Sequence, residues 1–87
     1  MHEDFKPFAN ETDVLRIGEM DIENRLDRVT ITGDAVLTAD QAGLALAREL
    51  QSLLKSTVQA LEALEVRKSL PQTIALKAAR TVRNPFA

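Results

Sequence analysis

The chain contains no cysteine, tryptophan or tyrosine, and its 87 residues include one histidine, three glycines, three prolines and three phenylalanines. Without cysteine there is no disulfide framework, no thiolate metal site and no thiol nucleophile. The one histidine, His2, stands in a polar start with no neighbour that could make it a general base or a metal ligand. The glycines, Gly18, Gly33 and Gly43, are too widely spaced for a phosphate-cradling loop, so no cofactor is expected. No stretch approaches the roughly 18 consecutive apolar residues of a membrane span. The opening "MHEDFKPFANETD" is acidic and polar, unlike a secretory signal. These absences together predict a soluble, cytoplasmic, non-catalytic protein that makes no contact with a membrane.

Charge is present but unevenly placed. Residues 1–40 hold ten acidic and four basic side chains, a net of −6. Residues 41–66 are near neutral, and residues 67–87 hold five bases and no acid. The whole chain nets only −2, yet it is a charge dipole with an acidic head and a basic tail.

From Asp13 the apolar pattern alternates. "DVLRIG" is a short apolar stretch in which Val14 or Leu15 pairs with Ile17. "MDIEN" sets Met20 and Ile22 against Asp21 and Glu23, and "RVTITG" sets Val29 and Ile31 against Thr30 and Thr32. Period-two alternation is what a sheet with one wet face requires. Gly18 and Glu19 suit a tight hairpin, and "NRLDR" suits a longer one with Asn24 and Asp27 as turn residues. The pattern predicts a three-stranded antiparallel meander, which residues 35–37 are apolar enough to extend.

"LTADQ" then predicts a helix start, with Thr38 as N-cap and Gln41 closing a capping box. No proline interrupts the chain before Pro71, and Leu46, Leu50, Leu53, Leu54, Val58, Leu61 and Leu64 recur at helical spacing. Gly43 reads as a point of close packing. The expected fold is therefore α+β, a small meander followed by one long amphipathic helix. Residues 13–70 form the domain, between a loosely attached segment 1–12 and a basic, disordered tail 71–87.

Length raises a packing problem. A helix over residues 39–66 is about 42 Å long, at about 1.5 Å per residue, whereas strands of five or six residues reach only about 17–20 Å. Something must cover Leu54, Val58, Leu61 and Leu64. The helix could break near residues 55–57, "TIAL" at 73–76 could fold back, or a second copy could pair with the overhang. Pairing is the expectation, because two-fold homodimers are the commonest oligomers. The expected interface is Leu54, Val58, Leu61 and Leu64.

Other candidate sites are weaker. Asp21, Glu23, Asp27 and Asp34 could bind a hard cation through oxygen, but Asp21 and Glu23 occupy the wet positions of a strand. "DIENRLD" lacks the glycine and the terminal acid of a calcium loop. The basic segment 67–83 could contact phosphates, which makes a small nucleic-acid-binding regulator the alternative function. However, no aromatic side chain is interleaved with those bases, and the rest of the chain is acidic. Asn84, Pro85 and Phe86 form a short tail that an unidentified protein partner could dock.

The strand turn "IENRLDRV" at 22–29, the helix start "GLALA" at 43–47 and the closing Asn-Pro-Phe resemble small uncharacterised bacterial proteins. The resemblance covers about half of the chain. It implies a soluble bacterial protein and carries over no functional residue.

Overall fold

The computed structural model describes residues 5–76. It has three strands, β1 (Val14–Ile17), β2 (Met20–Asn24) and β3 (Val29–Thr32), followed by one helix, α1 (Gln41–Val66). The strands form an antiparallel sheet in the order β1-β2-β3. This is the α+β meander-plus-helix that alternation and helical spacing predict. Residues 35–37 lie outside the sheet.

The register explains which side chains are buried. Leu15 pairs with Ile22 and Ile17 with Met20 across the first hairpin, and Ile22 pairs with Ile31 and Asn24 with Val29 across the second. These residues share one face, because side chains alternate along a strand. Leu15, rather than Val14, is therefore the inward residue of β1, and Val14 is 61% exposed. Ile17 and Met20 flank a two-residue loop in which Gly18 has φ +59° and Glu19 does not have positive φ. This is the type II′ arrangement, whose first central residue must enter the left-handed region and therefore favours glycine.

The core consists of Phe5, Ile17, Met20, Ile22 and Leu53, flanked by Leu15, Val29, Ala35, Leu46 and Leu50. Two buried residues enlarge what the sequence pattern suggests. Phe5 lies in the core, although residues 1–12 read as loosely attached. Asn24, read as a turn residue, ends β2 on the inner face and is wholly buried.

Asn24 also explains the position of the N-terminal segment. Its Oδ1 accepts from the Phe8 N–H at 2.7 Å, and its Nδ2 donates to the Lys6 carbonyl at 2.8 Å. The Asn24 backbone N–H donates to the Asp13 carbonyl at 2.9 Å. Phe8 is held at φ +67°, a conformation that non-glycine residues rarely adopt. Farther along, Glu11 accepts from the Leu26 N–H at 2.8 Å, and its carbonyl accepts from Arg25 at 2.9 Å. The described part of the segment thus has no regular structure of its own but is fastened to β2 and to the β2–β3 loop.

The helix start corrects one expectation. The N-cap is Asp40, not Thr38, and α1 begins at Gln41. Asp40 Oδ1 accepts from the Gly43 N–H at 2.8 Å, and the Thr38 hydroxyl donates to the same oxygen at 2.6 Å. Thr38 therefore supports the cap, and Gln41 is too close to Asp40 to complete a capping box. These two bonds, the Thr38 bond first, hold the Asp40 carboxyl below its ordinary value. Carboxylate is also the form that the positive end of a helix dipole favours.

The cap brings the 38–40 turn against Gly43, which is buried. A Cβ at Gly43 would overlap the Thr38 carbonyl oxygen. Close packing at Gly43 is thus against the chain's own preceding turn, not against the sheet. Helix propensity alone predicts that Gly43→Ala stabilises by roughly 1 kcal/mol, but overpacking against backbone costs about 1–3 kcal/mol. The overlap should win, and Gly43→Ala should lower the chemical-denaturation midpoint.

At its other end α1 closes at Arg67. The Lys68 N–H donates to Glu65 at 3.0 Å and the Ser69 N–H to Leu64 at 2.8 Å. Lys68 has φ +58°. These are the two bonds and the left-handed residue of a Schellman cap, with lysine where glycine is usual. The helix therefore stops by its own cap before Pro71 is reached.

Candidate functional site

α1 runs without a break through Lys55, Ser56 and Thr57, where the Thr57 hydroxyl donates to the Leu53 carbonyl at 2.8 Å. Its 26 residues span about 39 Å at about 1.5 Å per residue. The strands, of four or five residues, reach only about 13–17 Å. The helix residues in or against the core are Leu46, Leu50 and Leu53, all in its first half. The second half of the helix extends beyond the core.

Residues 73–76 form neither helix nor strand and are exposed, with Leu76 at 66%. Of the three solutions to the packing problem, a break in the helix is not the one adopted, because α1 is continuous.

The apolar surface left open follows a stripe beside the core-facing one. Leu54 is 53% exposed and Val58 51%, while Leu61 and Leu64 are half-buried. Successive helix residues turn by about 100°, so Ala47, Leu54, Val58 and Leu61 share a side that adjoins the core stripe. Leu64 lies on the core stripe instead, prolonged past the end of the sheet. The four expected interface residues therefore occupy two adjacent stripes. Toward the N-terminal half the outer stripe widens into an open groove of about 950 Å³, whose apolar lining is Leu37, Ala47, Leu50, Leu54 and Val58. Leu37, which lines the groove, was not among the residues singled out in the sequence; its place at the end of an apolar "AVL" was the available signal.

The carboxylates do not gather into a site. Asp21 pairs with Arg16 on the neighbouring strand at 3.2 Å, on the outer face of the sheet. Glu23 faces Thr30 across β2 and β3. Asp27 is bonded to Arg28 at 3.0 Å, and that hydrogen bond holds the Asp27 carboxyl below its ordinary value. Among the described residues no three His, Cys, Asp or Glu side chains are placed to share a metal ion. The only described helix is not long and apolar enough to cross a membrane.

Arg67 and Lys68 are exposed at the end of α1. The other bases of segment 67–83, namely Lys77, Arg80 and Arg83, lie outside the described residues, as do His2, Asn84, Pro85 and Phe86. Comparison of the chain with protein-family models, with curated proteins and with solved structures found no match in any of the three.

Proposed function

We propose that the chain is a non-catalytic interaction module whose working surface is the outer stripe of α1, and that the stripe's first partner is a second copy of the chain. The observation that carries this reading is the overhang. A continuous helix leaves Leu54 and Val58 about half exposed past a core that ends near Leu53. Apolar patches of this kind on small domains are usually interaction sites. A domain of this size also buries little surface alone and gains stability from a partner. The proposed setting is a bacterial cell, as the resemblance implies, and its cytoplasm, as the lack of a signal-like start and of cysteine suggests.

Folding coupled to pairing has a simple signature. The melting temperature should rise with protein concentration, because mass action stabilises whatever binds only the folded chain. A melting temperature that stays constant over a wide range of concentration would contradict the reading.

A further inference from the structure

The outer stripe carries more order than an apolar patch needs. Leu44, Gln51 and Val58 recur every seven residues, and so do Ala47, Leu54 and Leu61, three positions later. That is the a/d pattern of a helix–helix seam. Arg48, Lys55 and Glu62, each one position after a d residue, line one edge of it. Among the described residues, neither Arg48 nor Glu62 has an ion pair or side-chain hydrogen bond within its own chain, and both are exposed.

From this placement we infer that two copies pair antiparallel along α1, about a two-fold axis near residues 55 and 56, with Arg48 of each copy against Glu62 of the other. The inference rests on the proposed self-pairing and specifies its geometry. In an antiparallel pair the e edges of the two helices run side by side. The axis that sets Leu54 against Val58 of the second copy, and Gln51 against its Leu61, also brings Arg48 to within two residues of Glu62, about 3 Å along the helix and within reach of these long side chains, twice. In a parallel pair the e edge faces the g edge, here Gly43, Leu50, Thr57 and Leu64, and no ion pair forms. The antiparallel arrangement also opposes the helix dipoles favourably. It lays the sheet-bearing half of each copy alongside the overhang of the other, at the level of the half-buried Leu61 and Leu64. Lys55 meets its own copy at the axis, where two exposed stems can splay into water.

The absence of native cysteine makes the test clean, because any introduced thiol is unique. Lys55→Cys and Gln51→Cys are prepared separately in the full chain and treated with a short bis-maleimide, while solution mass is read in parallel. Antiparallel pairing predicts cross-linked dimer from Lys55→Cys and none from Gln51→Cys, whose two copies would lie about 15 Å apart along the axis, ten residues at about 1.5 Å each. Arg48→Glu should weaken self-association about tenfold at low salt, and adding Glu62→Arg should restore it. A dimer that cross-links through Gln51→Cys and not through Lys55→Cys is parallel, which overturns this inference and leaves the proposed self-pairing intact. A dimer that cross-links through neither, or that is indifferent to both charge changes, uses another surface and also overturns it. A monomeric mass at every concentration removes both readings and assigns the stripe to a different protein or to this chain's own residues 77–87.

Discussion

Asn24→Ala is expected to destabilise the domain by about 2–4 kcal/mol, because each buried polar group left without a partner costs about 1–3 kcal/mol. Asn24 is fully buried, and its side chain satisfies one N–H and one C=O of a segment 16 and 18 residues away in sequence. A chain of 87 residues has a total stability of only roughly 4–13 kcal/mol, at roughly 0.05–0.15 kcal/mol per residue. The loss should release residues 5–8 as well, withdrawing Phe5 from the core and freeing Phe8 from its left-handed backbone. Equilibrium unfolding in urea measures the first effect, and amide exchange at Phe8 measures the second. Asn24→Asp sharpens the test. An introduced carboxylate could still accept from Phe8 but would face the Lys6 carbonyl with no proton to donate. Burial raises the pKa of such a group, so this variant should regain stability as pH falls, whereas Asn24→Ala should not. Loss of less than about 0.5 kcal/mol in Asn24→Ala, the size of an ordinary surface change, would mean that the anchoring bonds are dispensable.

Leu54→Asp should leave the fold nearly intact and abolish pairing. Leu54 is 53% exposed in the single chain, so its replacement removes little core packing. Across a two-fold interface it counts twice, and burying a leucine is worth about 1.5–3 kcal/mol. Removing both should weaken association by ~3 kcal/mol or more, over roughly a hundredfold. The next residue toward the N-terminus makes the contrast. Leu53 is 5% exposed and in the core, and Leu53→Ala should cost about 2–5 kcal/mol of folding stability at any concentration. Sedimentation equilibrium and urea unfolding on the two variants would show two neighbouring leucines failing in different ways. Equal loss of folding stability in both would mean that the outer stripe belongs to the core.

The strands were legible because each inner residue lies two positions from the next, and the helix because its leucines recur at three and four. The overhang was legible from length alone, and with it Leu54 and Val58. What the pattern hid was set by distant partners. Asn24 keeps step with Met20 and Ile22, which was a usable signal, but a polar side chain beside a turn also reads as turn chemistry. Its inward role depends on Lys6 and Phe8, which local periodicity cannot reach. Phe5 was hidden for the same reason, because it and Phe8 stand in a polar segment with no apolar period to mark either as inward. The choice of Asp40 over Thr38 as N-cap turned on the tight approach of the 38–40 turn to Gly43. Leu64 belongs to the core-facing stripe rather than the outer one. It stands about 80° around the helix from Leu54, a difference that spacing alone blurs when both stripes are apolar.

The central claim is that the outer face of α1 is a self-pairing surface. Absolute mass by light scattering behind a sizing column, at several concentrations and two salt levels, tests it most directly. The predicted result is a mass approaching twice the 9.6 kDa of the single chain as concentration rises, with Leu54→Asp holding at the single-chain value. A mass of one chain at every concentration and both salt levels would contradict the account.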